Sequence, residues 1–154
     1  TYRGALGELA KAVPLIGHAH PRQRDRAFRL YAKLGIPSSD DFAEVLRRAD
    51  VYVCDNSSTI PEFASLDRPV VLLNSPGYPR GINLWWRFWA CADIGIQVDS
   101  ANELVSKVLL ACDDPPEQAE LRRARVAEIY EHTDGKAAER AAEAILAHAP
   151  NMKG

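Results

Sequence analysis

Two kinds of apolar segment alternate along the chain, with short polar turns between them. In the first kind, apolar residues recur every three or four positions, as on one face of a helix. The second kind is a short, nearly unbroken apolar run, as in a buried strand. Helices are predicted at residues 4–12, 22–34, 40–48 and 60–66, with three more closing the chain after residue 100. Strands are predicted at residues 13–17, 51–55, 68–74 and 94–99. This order predicts an α/β fold: a doubly wound, Rossmann-like parallel sheet of about four to five strands, in one domain over residues 1–154.

The turn at residues 35–41, GIPSSDD, separates two of the predicted helices. Gly35 is a C-terminal stop signal for the first helix. Ser39 or Asp40 is expected to cap the second helix, which runs to Arg48. The apolar face of the second helix consists of Phe42, Val45 and Leu46. The turn itself could also contain one short, degenerate strand.

The composition excludes several functional classes. With 19 basic and 21 acidic residues the formal charge is −2, so no broad field favours nucleic acid or an anionic membrane, and any anion site must be local. No stretch approaches the roughly 20 apolar residues of a membrane span, and the N-terminus does not resemble a signal peptide. The widely spaced cysteines fit a reducing compartment and no metal site: Cys54, Cys91 and Cys112. We therefore expect a cytoplasmic protein without a bound metal.

The turn DNSST, after the predicted strand at 51–55, is the first candidate site. In an open α/β sheet, ligands bind beyond the carboxyl ends of the strands, where loops lead into helices. The hydroxyls of Ser57, Ser58 and Thr59 could converge there on one phosphate, together with free amides of the next helix. The alternative is a capping box between Thr59 and Glu62, with both serines as ordinary turn residues. Glu62 could also accept hydrogen bonds from a ribose.

The turn HAHPR, after the predicted strand at 13–17, is the second candidate site. Pro21 opens the next helix and disfavours helical backbone at His20, so this imidazole is expected at the end of the strand. There it could donate a hydrogen bond to a phosphoryl oxygen or protonate a leaving phosphate, and Arg22 would add positive charge. His18 either lines the same site or faces solvent. Two further histidines are interpreted as having no role in a site: His132 and His148.

A predicted helix with three tryptophans follows the loop SPGYPRGIN. Trp85, Phe88 and Trp89 share one face, whereas Trp86 points elsewhere. This face either packs against the sheet, forms a surface for a partner domain, or stacks on a nucleotide base.

Two charged segments lie near the C-terminus. We interpret a basic cluster as a solvated helix face: Arg122, Arg123 and Arg125. In the segment DGKAAER, Lys136 and Arg140 are one helical turn apart, either on a solvated face or at the edge of a cleft.

Four motifs in this order resemble the C-terminal, nucleotide-binding half of the CDP-glycerol glycerophosphotransferases, the teichoic-acid-type polymerases and primases with a GT-B fold. The motifs are HAHPR, LRRADVYVCDNSST, RPVVLLN and DGKAAER, and the likeness spans residues 18–146. The resemblance implies that His20 contacts the donor pyrophosphate as a catalytic residue and that Ser57 and Ser58 bind the phosphates. The remaining candidates are Asp55, Thr59 and Arg22 at the phosphates, Glu62 and His18 at the ribose or base, and Asp134, Gly135, Lys136 and Arg140 at the cleft edge.

The resemblance also implies an activity. The family transfers glycerol phosphate from CDP-glycerol to a wall polymer or related acceptor, so we expect a nucleoside diphosphate donor and no other cofactor. The chain would be the donor-binding half of a longer two-domain GT-B enzyme, inactive without its N-terminal half, in the cytoplasm or at the inner face of the membrane. A few charge-assisted hydrogen bonds predict a donor affinity of about millimolar.

Two alternatives stay open at this point. The first is half of a UDP-sugar GT-B transferase or epimerase, and the second is a non-catalytic α/β interaction module that uses the tryptophan helix.

Overall fold

A three-stranded parallel sheet lies at the centre of the computed structural model, which describes residues 2–55, 57–74 and 92–148. The strands, in the spatial order β1-β2-β3, are β1 (Tyr52–Cys54), β2 (Val70–Leu73) and β3 (Ile96–Val98). Cys54 pairs with Leu72, and Leu73 pairs with Val98, so the strands end near one another at the same edge. The predicted α/β class with a parallel sheet is confirmed.

Helices precede, connect and follow these strands. Those in the described ranges are α1 (Arg3–Ala12), α2 (Arg24–Lys33), α3 (Phe42–Arg48), α4 (Ile60–Ala64), α5 (Leu104–Cys112), α6 (Pro116–Ile129) and α7 (Ala137–His148). Short 3-10 turns occur at Pro21–Gln23, Ala92–Ile94 and Ala101–Glu103. The predicted loop at 75–83 and the tryptophan helix, with Trp85, Trp86 and Trp89, lie outside the described residues, as does Cys91.

The central strand β2 is buried on both faces, as its unbroken apolar run predicts. Val71 packs in a core with residues of α1 and α5, including Leu9 and Leu104. Val70 and Leu72 belong to a second core with α4, which includes Phe63. Because successive side chains of a strand point to opposite faces, these two cores lie on opposite sides of the sheet. The fold is therefore layered as helix, sheet and helix, and each fully buried aliphatic side chain contributes roughly 1.5–3 kcal/mol.

The strand predicted at 13–17 is wrong, and within the described ranges the sheet does not reach four strands. Only a single parallel bridge forms there, between Gly17 and Ser38. It rests on Gly17 N–H donating to the Pro37 carbonyl at 2.8 Å and Ser39 N–H donating to the Gly17 carbonyl at 2.9 Å. Pro14 and Pro37 lack the amide hydrogens that a longer ladder requires. The degenerate strand expected at 35–41 likewise amounts to this bridge.

Helix boundaries follow the expected signals, with one correction. Gly35 has φ of +69°, the left-handed conformation typical of the residue just after a helix. The cap of α3 is Asp41, not Ser39 or Asp40: its carboxylate accepts the Ala43 N–H at 2.9 Å. Ser39 instead uses its hydroxyl oxygen to accept the Asp41 N–H at 3.2 Å, two residues before the position that caps the helix.

Arg122 is not on a solvated face, which corrects the interpretation of the basic cluster. Its side chain is only 2% exposed, beneath the amino edge of the sheet. It donates to Asp67 Oδ1 at 2.9 Å and to Asp114 Oδ1 at 2.8 Å. Both aspartates have positive φ, 54° and 42°, so the guanidinium holds two turns whose backbone is strained for a residue with a side chain. Arg125 is also paired, with Asp93 at 2.6 Å.

Helix α7 is more exposed than the other described helices: among its residues only Arg140 is half-buried, and the rest are exposed. Ile145 and Leu146 are 66% and 73% exposed. Within the described residues, this helix therefore makes little contribution to the two cores.

We expect Arg122→Met to lower the free energy of unfolding by about 3 kcal/mol, because it removes charge-assisted hydrogen bonds from a buried position. The matched control is Arg123→Ala, which removes an exposed guanidinium 3.2 Å from the same Asp67 and should cost less than about 1 kcal/mol. Urea denaturation at pH 7 measures both. Equal losses would show that burial of Arg122 is not what matters.

The same cluster gives a pH dependence. Burial opposes ionisation of Asp67, but hydrogen bonds from Arg122 and Arg123 prevail and lower its pKa. The stabilisation is therefore present above the unfolded-state pKa of about 4 and is lost as the pH falls below it.

Candidate functional site

A row of four aromatic rings links the two predicted turns beside β1. The His18 ring lies 5.4 Å from Phe42, Phe42 lies 5.8 Å from Tyr52 of β1, and Tyr52 stacks on Phe63 of α4 at 5.1 Å. Each distance lies in the range of favourable ring contacts. The row holds the HAHPR turn on the same side of the molecule as the strand that carries DNSST.

Tyr31 fixes the backbone of the HAHPR turn. Its hydroxyl donates to the His18 carbonyl at 3.0 Å, and its ring fills the space beside Gly17 that any side chain there would need. Burial raises the pKa of Tyr31, and the negative charge of Asp55 raises it further. Asp55, directly after β1, is thus within electrostatic range of Tyr31, whose hydroxyl contacts the HAHPR turn.

The two histidines of this turn are held as different tautomers. The Nδ1 of His18 lies 3.0 Å from the Ser39 carbonyl, which can only accept, so Nδ1 carries the proton and Nε2 of the neutral ring is an acceptor. The Nδ1 of His20 accepts the Arg22 N–H at 3.2 Å, so the proton of its neutral ring is on Nε2. His20 is exposed and therefore presents a donor, whereas His18 presents an acceptor.

Three hydroxyl groups form a continuous chain between β1 and the serine turn. The Tyr52 hydroxyl lies 2.9 Å from Thr59 Oγ1, which lies 2.7 Å from Ser57 Oγ. Ser57 Oγ also accepts the Thr59 N–H at 3.3 Å. We refer to Tyr52, Thr59 and Ser57 as the hydroxyl chain.

The capping box proposed as the alternative does not form. Thr59 has helical backbone angles, φ −80° and ψ −4°, and its side chain makes no cap hydrogen bond. Glu62 is exposed, and its carboxylate makes no hydrogen bond or ion pair with the described part of the chain, although its charge adds to burial in raising the pKa of Tyr130. The capping box thus does not explain the serine turn, although Ser57 accepts a backbone N–H within it.

The amides of this turn are less available than the sequence suggests. Ser57 accepts the Thr59 N–H through its hydroxyl and the Ile60 N–H through its carbonyl, the latter at 3.3 Å. Helix α4 has only five residues. Any anion here would therefore be held mainly by side chains.

Two candidate side chains have no polar partner among the residues that the structure describes. Ser58 and Arg22 are both exposed, and no hydrogen bond or ion pair to another described residue occupies the hydroxyl or the guanidinium. Both are free to bind a ligand without breaking an internal contact.

Asp55 has an unusual electrostatic position. Although the residue is exposed, surrounding protein withdraws water from its carboxyl group, and this burial raises its pKa. The same charge contributes to raised pKa values for Cys54 and Tyr52, in which burial is the larger cause. The Cys54 thiol therefore stays protonated and is no nucleophile. Carboxyl groups with raised pKa values in a polar turn are more frequent in functional sites than elsewhere.

The four candidate site residues of the DGKAAER segment lie close together, with Asp134 at their centre. Asp134 accepts from Arg140 at 2.9 and 2.5 Å and from the Lys136 N–H at 3.1 Å, and Gly135 has φ of +75°. Hydrogen bonds from Arg140 are the main cause of a lowered pKa for Asp134. In the described ranges, no hydrogen bond or ion pair joins this segment to the two turns.

Sequence reasoning missed Tyr31 and Tyr52 as parts of the site. Both lie in predicted apolar patterns, in which aromatic residues usually serve as core. The sequence did contain a signal for Tyr52. This residue lies two positions before Cys54, on a strand that ends in a polar turn, and a half-buried tyrosine hydroxyl needs a hydrogen-bond partner.

Within the described residues, no three metal-ligating side chains lie together, and no helix there is long and apolar enough to cross a membrane.

Residues 7–147 match the model of the family described as CDP-glycerol:poly(glycerophosphate) glycerophosphotransferase. The chain belongs to this family. The matched range contains both turns, the hydroxyl chain and the DGKAAER segment, and it supports a CDP-glycerol glycerophosphotransferase-type function. The suspected family is thus confirmed. No curated protein and no solved structure gave a significant match.

The tautomers can be read directly from nitrogen chemical shifts. In a long-range proton–nitrogen NMR spectrum near pH 8, we expect neutral His18 with its proton on Nδ1 and neutral His20 with its proton on Nε2, because their backbone partners impose these forms. His132 serves as an exposed reference. Identical tautomers for His18 and His20 would overturn the assignment.

Removing the charge of Asp55 should stabilise the fold. Because its folded-state pKa is raised, the folded state is favoured when the carboxyl is protonated, and this advantage is lost as the pH rises through the folded-state pKa. We therefore expect Asp55→Asn to raise the free energy of unfolding at pH 7 and to change it little at pH 3. Asp50→Asn removes an equal charge from an exposed position as a control. A loss of stability at pH 7 in Asp55→Asn alone would contradict the expectation.

Proposed function

We propose that this domain binds the nucleoside diphosphate of CDP-glycerol and takes part in transfer of glycerol phosphate to a poly(glycerophosphate) or related cell-wall acceptor. The observation that carries the proposal is a donor imidazole, His20, in a turn that the row of aromatic rings links to β1 and to the hydroxyl-rich turn after it. Family membership supports the same reaction class.

In the proposed reaction, an acceptor hydroxyl attacks the phosphorus that bears the glycerol. The bond from this phosphorus to the bridging oxygen breaks, CMP leaves, and the acceptor proton passes to a base or to solvent. His20 Nε2–H donates to a phosphoryl or bridging oxygen and stabilises the negative charge that develops there. It is the catalytic residue of the proposal.

The other candidates take binding roles. Ser57, Ser58 and Arg22 donate to the phosphates, which supply only acceptors. His18 presents an acceptor nitrogen, which suits a hydroxyl of the ribose or of the glycerol. Glu62 is placed by the proposal at the ribose as a second acceptor.

A nearby carboxylate sets a limit on affinity. Asp55 would repel a diphosphate when ionised, and its raised pKa reduces the cost of protonating it as the ligand arrives. With a few exposed donors and this opposing charge, we expect dissociation constants of about millimolar for the isolated domain.

We further propose a GT-B arrangement, in which a second domain carries the acceptor and faces the turns described above, in the cytoplasm at the inner side of the membrane. The segment with Asp134, Gly135, Lys136 and Arg140 would form the edge of that cleft. No cofactor beyond the nucleotide-activated donor is required, and turnover would need both domains.

A proton–nitrogen NMR titration with CDP-glycerol, CDP, UDP and inorganic phosphate tests the proposal. We expect saturable shifts at HAHPR and DNSST, strongest for the cytidine ligands and at least fivefold weaker in affinity for Ser57→Ala/Ser58→Ala, since about 1 kcal/mol or more is lost with the hydroxyls. The matched control is Ser106→Ala, an exposed serine on α5 whose hydroxyl donates to the Glu103 carbonyl.

Other outcomes identify the other candidate functions. Tighter binding of UDP than CDP would indicate a UDP-sugar transferase or epimerase. No response to any nucleotide, with a concentration-dependent increase in size, would indicate an interaction module and overturn the proposal.

A further inference from the structure

A buried polar residue, Asn74, lies directly after the central strand β2 and has no role in the reaction proposed above. Only 7% of it is exposed. Its backbone continues the sheet, because the Asn74 N–H donates to the Val98 carbonyl at 2.8 Å. The Asn74 carbonyl accepts from the Tyr2 hydroxyl, also at 2.8 Å. Both backbone polar groups are therefore paired, and the position of the residue is fixed.

The side-chain amide of Asn74 has a single orientation. Its Nδ2 donates to Gln97 Oε1 at 3.1 Å and to Asp99 Oδ1 at 2.8 Å. A carboxylate oxygen only accepts, and Gln97 presents its oxygen here because its Nε2 donates to the Gly95 carbonyl at 2.9 Å. Turning the Asn74 amide over would place its oxygen against two acceptors. Both hydrogens of Nδ2 are thus used at the end of β3.

The side-chain oxygen of Asn74 is the polar atom left over. No residue in the described ranges donates a hydrogen bond to Oδ1, whereas the N–H, the carbonyl and Nδ2 are all paired. Nearly all buried polar atoms of native proteins have a partner, so an exception calls for a specific explanation. Because an amide oxygen can only accept, the group that suits it carries an O–H or an N–H.

Asn74 lies on the same edge and the same face of the sheet as the DNSST turn. Cys54 pairs with Leu72, so the ends of β1 and β2 are neighbours, about 4.8 Å apart. Leu72 packs with α4 in the second core, and side chains alternate along a strand, so the side chain of Asn74 faces the same way. Helix α4 begins directly after the DNSST turn. The unpaired acceptor is therefore one strand away from the proposed phosphate site.

We propose that Asn74 contacts the donor directly, its Oδ1 accepting a hydrogen bond from a hydroxyl group of CDP-glycerol. This proposal rests on the proposed function, which puts the phosphates at the DNSST turn. Phosphate oxygens are acceptors and do not suit Oδ1. The groups that flank the diphosphate of CDP-glycerol are the ribose and the glycerol, and both carry hydroxyls, whereas the cytosine lies beyond the ribose. Asn74 thus adds a contact for a part of the donor that the phosphate-binding side chains do not recognise.

The orientation of the amide is measurable without a ligand. We expect both Nδ2 hydrogens of Asn74 to exchange with solvent at least about tenfold more slowly than those of Asn102, because both are engaged and buried. Asn102 is an exposed asparagine in the 3-10 turn Ala101–Glu103 and serves as the matched reference. Exchange as fast as that of Asn102 would show that Nδ2 is not held by β3, and would overturn the proposal.

Contact with the ligand is tested in the unmodified chain, with asparagine labelled at Cγ with carbon-13. A carbonyl carbon moves downfield when its oxygen accepts a hydrogen bond. We expect a saturable downfield shift of the Asn74 Cγ resonance with CDP-glycerol and none with pyrophosphate, which has no ribose or glycerol hydroxyl. A shift with CDP as well assigns the hydroxyl to the ribose, and a shift with CDP-glycerol alone assigns it to the glycerol. A shift of equal size with 2′,3′-dideoxy-CDP would assign the contact to the base and overturn the proposal.

Binding by a variant tests the energetic consequence. We expect Asn74→Ala to weaken CDP-glycerol binding about three- to tenfold, the size of one lost hydrogen bond, and to leave pyrophosphate binding within about twofold. Asn102→Ala should change neither affinity. Equal weakening of both ligands would show that the substitution deforms the phosphate site, and unchanged affinity would show that there is no contact. Either result overturns the proposal.

The Cγ titration needs no variant, so it decides the question even if amide spectra show that Asn74→Ala does not fold. Amide shifts at HAHPR and DNSST without a shift of Asn74 Cγ would mean that Oδ1 binds water only. That outcome overturns the proposal and leaves the proposed function intact. Failure of the proposed function appears instead as no response of the unmodified chain to CDP-glycerol, CDP or pyrophosphate, and it excludes the Asn74 contact as well.

Discussion

The burial of one guanidinium at the amino edge of the sheet is the constraint from which the rest of the arrangement follows. Arg122, on α6, reaches under the sheet to Asp67, in the turn before β2, and to Asp114, in the turn before α6. These contacts join the entry of the central strand to helices on both of its faces. Because burying an ion is costly, the position tolerates little change in either turn. The start of the central strand β2 is thus fixed relative to these helices, and so is the position of its carboxyl end.

The two edges of the sheet differ in how their polar groups are satisfied. At the amino edge, Arg122 is enclosed by carboxylates and backbone oxygen, and Arg68 donates to the carbonyls of Leu46 and Ala49 at 2.7 and 3.0 Å. At the carboxyl edge of β1, Asp55 has no cationic partner in the described ranges, and the exposed Ser58 has no polar partner there. Satisfied groups stabilise a fold, and unsatisfied groups are available to a ligand. We therefore assign stability to the amino edge of the sheet and the proposed function to the carboxyl end of β1.

Local sequence patterns were sufficient for most helices and for the three paired strands. Val70 to Leu73 could be predicted as a doubly buried strand because four consecutive apolar residues leave no solvent-facing side. The segment at 13–17 has an equally apolar pattern but forms no ladder of strand hydrogen bonds. Such a ladder depends on the backbone that lies beside the segment. It also depends on amide hydrogens, which Pro14 and Pro37 do not have.

Contacts between distant residues were not predictable in this way. Arg122 looks like its exposed neighbour Arg123 in sequence, and only the fold brings Asp67 within reach. For the candidate site, hydroxyl and imidazole residues after strands could be recognised from their chemistry. The direction of their hydrogen bonds could not, because the partners are backbone carbonyls and a tyrosine from other elements. Ser39 shows this for His18: it was expected to cap a helix, and its carbonyl instead fixes the imidazole.

The exposure of α7 has a consequence for how order is distributed in the molecule. A 12-residue helix is near the length at which helices in water are only marginally stable, and none of its side chains is buried in the described structure. The Asp134–Arg140 pair steadies its first turn but lies at the surface. Amide hydrogens of α7 would therefore exchange with solvent through local opening, long before those of β2, which exchange only when both cores separate. The molecule thus has a slowly exchanging centre and a last helix that unfolds and refolds independently of it.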